Sequence, residues 1–321
     1  AHRLAKGEAI ERITDVRGTA FIRRDTPEGW MEVDSTRIDR PGKVDKIINP
    51  YINTQEMTDC ERERRDNAFY GTQYNEKGEA IVEFKPKLER NNTVVRLPAF
   101  EKVSKDTALY AHANRVLHLE TNPGNARAMV QKHGDVDVWL NQPPIPLTTE
   151  EMDYVFAMPY ARVPHPSYNG EKIPAYEMIR FSVNIMRGCF GGCSFCSITM
   201  HQGRAIQSRS PKSVIAEVEA IAKAPGFKGH ISDIGGPTAN MYRMRCTRPE
   251  VEATCRRLSC VYPKICKLLD TSHETLTELM REARSVPGVK QVHVASGIRM
   301  DLAADEPEYL DELAAHHVGG H

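Results

Sequence analysis

From residue 181 onward the chain repeats one arrangement three times, an extended apolar run followed by an amphipathic helix, and few folds accept that pattern. Residues 181–185 read as a strand running straight into a loop that carries Cys189, Cys193 and Cys196. Ser210 then caps a helix opened by Pro211, apolar at Val214, Ile215, Val218 and Ile221 and closed by Pro225-Gly226. Residues 229–233 form a second strand and lead to Gly235-Gly236. A second helix over 272–285 spaces Leu276, Leu279, Met280 and Ala283 three and four apart, and Pro287-Gly288 ends it. Residues 291–295 make a third strand, and a third helix carries Tyr309, Leu310, Leu313 and Ala314. Consecutive strand-helix units build a parallel α/β sheet, whose loops at the carboxyl ends of the strands form the binding face.

The preceding residues predict a separate α/β domain over 1–158. After a helical opening (Leu4, Ile10, Ile13), residues 18–24, 29–33 and 91–97 read as strands, and a helix spans about 107–120. Trp139-Leu140 marks a short strand end. Thr148 with Glu151 three residues later is a capping-box start for a helix through Phe156. The mixed-charge run over 59–66 reads as a solvated helix face or loop. Four prolines and Gly170 between residues 159 and 174 mark an exposed linker, placed at 159–178, which leaves 179–321 as the second unit.

Charge narrows the function classes. With 43 basic and 43 acidic residues the formal charge is zero, which argues against a chain that holds nucleic acid or anionic lipid by long-range attraction. No apolar run approaches the roughly 20 residues of a membrane-spanning helix, so a cytoplasmic protein is expected. There the chain's eight cysteines stay reduced and need another explanation than disulfides. Cys60 stands alone; Cys189, Cys193 and Cys196 form one group and Cys246, Cys255, Cys260 and Cys266 another.

The first group has the spacing C-x3-C-x2-C on the loop that leaves the first strand of the array. Three thiolates suit an iron-sulfur cluster, and three ligands around four irons leave one iron open, the position where substrate chemistry happens at open metal sites. Gly188, Gly191 and Gly192 let the loop bend enough for the sulfurs to converge. A zinc site closed by His201 or a distant residue, a Cys193/Cys196 redox pair, and plain buried cysteines are the competing readings. The second group, C-x8-C-x4-C-x5-C, matches none of the paired zinc patterns; it predicts either a structural metal or auxiliary cluster, or reduced cysteines packed in an insertion. Arg187, His201, Arg204 and Arg209 flank the first group, as a local positive field or as a solvated basic loop.

The loop, with Phe195 just before its last cysteine, resembles the signature of the radical S-adenosylmethionine (SAM) superfamily. Arg187-Gly-Cys-Phe-Gly-Gly-Cys-Ser-Phe-Cys-Ser-Ile198, His201-Gln-Gly-Arg204, Gln207-Ser-Arg-Ser210, Gly235-Gly-Pro-Thr-Ala-Asn-Met-Tyr242 and Ala295-Ser-Gly-Ile-Arg299 are similar to the YgiQ family. So are Val44-Asp-Lys-Ile-Ile-Asn-Pro50 and Tyr110-Ala-His-Ala-Asn-Arg-Val-Leu-His-Leu-Glu-Thr-Asn-Pro-Gly-Asn125 upstream. The resemblance implies a [4Fe-4S] cluster on Cys189, Cys193 and Cys196, SAM on the open iron, and reductive cleavage to a 5′-deoxyadenosyl radical that acts on an unknown substrate. It also implies a reducing partner such as flavodoxin or ferredoxin. Gly235-Gly236 match an element that approaches the methionyl amine, with Pro237 in place of its acid; glycines are equally ordinary at a strand-end turn. Ser296 and Arg299 are candidates to contact cofactor or substrate, Arg299 alternatively pairing with Asp301; Asp233 and Asn240 are further candidates. The rival class is a metal-binding or electron-transfer module without catalysis. Because the superfamily's partial (β/α)6 barrel has six units and only three fit here, a half barrel with an exposed third-strand edge is expected. With no initiator Met, the chain reads as a fragment of a longer protein.

Overall fold

The computed structural model describes residues 2–42, 73–74, 80–81 and 90–319. Cys60, the mixed-charge run 59–66, the 44–50 string and His321 lie outside the described residues.

The first unit is organised by one mixed sheet. Its strands are β1 (Ala20–Arg23), β2 (Met31–Asp34), β5 (Thr93–Arg96), β6 (Ala128–His133) and β7 (Val136–Leu140), in spatial order β1-β7-β6-β5-β2. A separate ribbon pairs β3 (Gln73–Tyr74) with β4 (Ala80–Ile81). The β2, β5 and β6 strands run parallel, while β7 is antiparallel to both its neighbours. Successive side chains of a strand face opposite sides, and both faces of β5 are covered: Val94 packs with Ala128, Val130 and Trp139, and Val95 with Val116, Leu97 and Met129. Helix α1 (Thr107–Leu119) supplies Val116; Asp106 starts it by accepting from the Ala108 and Leu109 N–H groups at 2.8 and 3.2 Å. Helix α2 (Thr149–Phe156) begins with the anticipated capping box, Glu151 N–H donating to Thr148 Oγ1 at 3.2 Å and Thr148 N–H to Glu151 Oε2 at 2.9 Å. Exposed chain follows, with one 3-10 turn at Pro166–Tyr168 and a short helix at Pro174–Ile179.

The second unit is the strand-helix array. Strand β8 (Ser182–Asn184) pairs parallel with β12 (Asp233–Gly235), and β11 (His230–Ile231) pairs parallel with β13 (Gln291–Val292). Ser232 interrupts the expected second strand, but Ile234 N–H still reaches His293 O at 2.8 Å, so the three strands lie side by side in chain order. Helices α3 (Pro211–Ala222), α5 (Glu274–Ser285) and α6 (Pro307–His316) alternate with them, and α4 (Pro249–Thr254) sits in the connection between β12 and α5. Ser210 accepts from the Ser213 N–H at 3.1 Å, and Val214, Val218, Ile221, Leu276, Leu279 and Met280 join Val183, Ile234 and Val292 in one buried core. Each such side chain contributes about 1.5–3 kcal/mol on burial, which is what seats the helices on the sheet. The outer edge of β13 is not bare: Val294 N–H donates to His317 O at 3.0 Å, and His317 Nδ1 donates to Val292 O at 2.8 Å. Strands β9 (Met186–Arg187) and β10 (Gln207–Ser208) pair antiparallel and close the base of the cysteine loop.

Candidate functional site

The cysteine loop leaves the carboxyl end of β8 and folds back through β10, and its glycines decide its path. Gly188 (φ +89°) and Gly192 (φ +64°) lie in the left-handed region; a Cβ would stand 2.1 Å from Ala205 O at the first and 2.1 Å from Leu258 O at the second. The backbone is tied by Cys189 N–H to Gly203 O and by Cys196 N–H to Cys193 O, both at 3.1 Å. At Gly191 a Cβ would meet Cys189 Sγ at 3.3 Å, Arg299 Nη1 at 3.5 Å and Cys193 Sγ at 3.7 Å. Two of the three predicted ligand sulfurs and one guanidinium therefore converge on a single point that only glycine leaves empty. Gly191 N–H donates to Cys189 Sγ at 3.4 Å, and Thr238 Oγ1 lies 3.8 Å from that sulfur. Cys196 sits on the following turn, with Phe195 beside it 90% exposed.

The strand ends bring the remaining predicted residues to the same face. Asp233 accepts from the Ala295 and Ser296 N–H groups at 2.8 and 3.0 Å and from the Ser296 hydroxyl, which locks the loop after β13 to the end of β12. Gly235 and Gly236 are required by packing: a Cβ would stand 2.4 Å from Ser296 Oγ at the first and 2.5 Å from Met186 Sδ at the second. Arg299 pairs with Asp301 through Nε at 2.9 Å and Nη2 at 2.5 Å, as one sequence reading had it, while Nη1 lies at the Gly191 point that the two sulfurs border. The Asp301 hydrogen bonds hold its guanidinium above the ordinary arginine range, against the opposing effect of burial. Asn240 is fully buried and holds the Arg299 backbone at both ends, accepting from its N–H at 2.8 Å and donating to its C=O at 2.9 Å.

Two of the flanking basic residues are bound to specific partners and do not form a solvated loop. Arg209 is 1% exposed; it donates to Asn184 O at 2.9 Å and Ser213 O at 2.8 Å, pairs with Glu217, and stacks on Phe156 at 4.3 Å. Burial lowers its pKa to about 10. Arg204 donates to Arg257 O at 2.8 Å and to Cys260 Sγ at 3.8 Å. Arg187 and His201 are exposed, and both line a cavity of about 1210 Å³ bounded by Phe156, Tyr160, Tyr176 and Glu217, apart from the cysteines.

The second cysteine group forms a wedge between the loop and the first unit. Cys260 N–H donates to Phe190 O at 3.1 Å, and Cys266 N–H to Cys260 O at 2.8 Å. Burial pushes the Cys260 thiol up against the pull of Arg204, with Cys255 and Cys266 near enough to add to the rise. Cys246 donates instead to Arg248 O at 3.5 Å. On the other side, Asn122 Nδ2 donates to Glu252 O and Cys255 O at 2.7 and 2.9 Å, and Asn125 Nδ2 to Ala253 O and Cys255 O at 3.1 and 3.2 Å, satisfying carbonyls that the end of α4 leaves open. Gly124 allows this approach, since its Cβ would stand 2.6 Å from Ala253 O. Beneath lies Glu120, its side chain fully buried, paired with Arg256 at 2.8 Å and flanked by Arg127 at 3.6 Å and Arg90 at 4.0 Å. Asn114 Nδ2 adds a direct bond to Ser194 O at 3.2 Å. Sequence reading gave these residues no role; the turn-forming Thr-Asn-Pro-Gly-Asn string was the available signal.

Among the described residues no three His, Cys, Asp or Glu side chains are arranged to hold a single metal ion. A four-iron cluster takes each thiolate on a separate iron, so it accepts sulfurs spread more widely than one ion does. Three free thiols on one loop, two of them facing the gap at Gly191, fit that donor set. No helix among the described residues is long and apolar enough to cross a membrane.

A family model described as radical SAM N-terminal matches residues 1–182. A UPF0313 protein of Pseudomonas aeruginosa is 65% identical over 324 residues, which cover 100% of this chain and 43% of the relative. The UPF0313 protein YgiQ of Escherichia coli is 58% identical over 322 residues, with the same 100% and 43% coverage. A UPF0313 protein of Chromobacterium violaceum is 56% identical over 328 residues, again 43% of its length. The chain thus spans less than half the length of the curated relatives it matches.

Proposed function

Since the chain belongs to the radical SAM N-terminal family, in its UPF0313 (YgiQ) branch, we propose that it carries the cluster-binding half of a radical SAM enzyme of unknown substrate. In this reading Cys189, Cys193 and Cys196 hold a [4Fe-4S] cluster, and Gly235, Gly236, Ser296 and Arg299 border the SAM site. Residues 1–158 form the N-terminal domain, 159–178 a linker, and 179–321 the first half of a partial barrel. A reduced cluster with SAM supplies a 5′-deoxyadenosyl radical able to take a hydrogen atom from an unreactive carbon; the protein's part is binding, orientation and exclusion of water. Electrons come from a flavodoxin- or ferredoxin-type donor.

The observation that carries the reading is the gap at Gly191, where the Cys189 and Cys193 sulfurs and Arg299 face one another at the carboxyl end of a parallel strand. The residues divide the work. Gly188 and Gly192 shape the loop, and the Asp233 to Ser296 bonds fix the strand-end floor. Gly235 and Gly236 are already explained by packing, so their role toward SAM is through the main chain.

Anaerobic reconstitution of the full-length protein with iron and sulfide, then dithionite and SAM, tests this. The expected results are a cluster absorbance that Cys193→Ala abolishes and formation of 5′-deoxyadenosine. A normal cluster in Cys193→Ala removes the ligand assignment, and a loaded protein that never cleaves SAM supports the electron-transfer alternative.

A further inference from the structure

We propose that Arg299 is the positioning residue that sets the redox poise of the cysteine site, its guanidinium favouring the reduced cluster by its charge close to the Cys189 and Cys193 sulfurs. The proposal rests on the cluster reading above and deepens it. Its geometry is the Gly191 gap, where Nη1 and both sulfurs lie within 4 Å of one point.

The side chain is aimed by its partners. Asp301 takes Nε and Nη2 in a two-point contact, which fixes the plane of the fork and leaves Nη1 outside that contact, 3.5 Å from the Gly191 point that the two sulfurs also border. Asn240 fixes the backbone from which the side chain departs. Its amide is fixed in turn: His273 donates Nδ1–H to Thr271 O at 2.9 Å, which leaves Nε2 as acceptor for Asn240 Nδ2 at 3.1 Å. Burial lowers the pKa of that imidazole, consistent with the neutral tautomer the bonds require. Little freedom is left to lose when the charge is used.

Two of the other basic groups around the loop are committed elsewhere, and Arg187 and His201 line the separate cavity. Arg209 is buried against Glu217, and Arg204 faces Cys260 on the second cysteine group. A cluster on three thiolates becomes more negative when it gains an electron, and hydrogen bonds and charge at the ligand sulfurs are among the levers that set its potential. A cation fixed close to two of those sulfurs stabilises the reduced form more than the oxidised one. Lysine would keep the charge but not the fork.

The test is an EPR-monitored redox titration of full-length protein carrying a reconstituted cluster, for wild type, Arg299→Gln, Arg299→Met and Arg299→Lys. Iron and sulfide content and absorbance measure loading separately. Both neutral variants are expected to load and to show at least a tenfold smaller reduced-to-oxidised ratio at fixed poise, a downward shift of about 59 mV for one electron; Arg299→Lys restores part of it. Equal potentials in wild type and a loaded neutral variant overturn the proposal while leaving the cluster reading intact. Loss of the cluster from both neutral variants also overturns it, by making Arg299 a scaffold residue. A wild-type protein that takes up no cluster defeats the underlying reading instead.

Discussion

Removing the charge of Glu120 should release the second cysteine group from the first unit. The Glu120 carboxylate is fully buried and serves three arginines as well as the Arg127 N–H at 2.7 Å. Breaking a buried ion pair from one side costs about 3–5 kcal/mol. Side-chain exposures of 28% for Arg256 and 39% for Arg90 let water reach the freed charges, which places Glu120→Gln at the low end, ~3 kcal/mol. Arg256 immediately follows Cys255, whose carbonyl the two asparagines hold, so the loss falls on the docking of α4. At 1.4 kcal/mol per tenfold, local opening there becomes on the order of 10²-fold more populated. Amide hydrogen exchange over 250–256 and labelling of Cys255 by a thiol reagent read that opening directly, without assuming that a chain of two units unfolds in one step. A double-mutant cycle with Arg256→Met should give a coupling of about 1–3 kcal/mol. Exchange at 250–256 that Glu120→Gln leaves at the wild-type rate, or a cycle that closes additively, would show that Glu120 does not hold α4 in place.

Three further outcomes follow from other contacts. Gly192→Ala combines a left-handed backbone, about 1–2 kcal/mol for an L residue, with an overlap against Leu258 O that adds about 1–3 kcal/mol; the thermal midpoint of the cluster-free protein should fall, and an unchanged midpoint defeats the close approach. Glu312 is buried, yet hydrogen bonds from Arg281, Arg284 and His317 outweigh that cost and hold its carboxyl at about 2. Because the folded value lies below the unfolded one, its contribution is complete above the ordinary glutamate range and disappears as pH falls through about 2. The stability gap between wild type and Glu312→Gln should therefore be full at pH 7 and shrink steadily below about pH 4.3, as denaturant titrations at a series of pH values would measure. Asp106→Ala removes the cap of α1 and should cost about 1 kcal/mol; a Gly replacement that proves as costly would point away from capping.

Local signals read well in this sequence. The caps at Thr148 and Ser210 were visible because a cap lies within three residues of its partner, and the helix phases of α3 and α5 because a buried face repeats within a single helix. Strand β6 escaped notice: Ala-Met-Val-Gln-Lys-His lacks alternation, since its first residues are buried on both faces of the sheet and neither face is polar. Arg209 misled for the opposite reason. An arginine between two serines and next but one to a glutamine looks solvated, and only Glu217, Ser213 and Phe156 arriving from other elements make its burial tolerable. The cysteine motif announced its loop, and the resemblance nominated Arg299, but not its place beside the Cys189 and Cys193 sulfurs, because it stands 100 residues and more from them in the chain.

The asparagine contacts on α4 have a consequence for which substitutions the chain tolerates. The Asn122 and Asn125 side-chain amides donate to main-chain carbonyls of residues 252, 253 and 255, so they read the path of that backbone, and the one side chain of the segment they engage is Arg256, which donates to Asn125 Oδ1 at 2.9 Å. Drift in sequence along the helix costs little provided the helix still ends where it does. The same freedom is denied to Gly124, where any side chain would strike Ala253. The turn at residues 122–125 thus recognises the end of α4 through its main chain, while the Glu120 ion pairs beneath it supply the charge that holds the same junction.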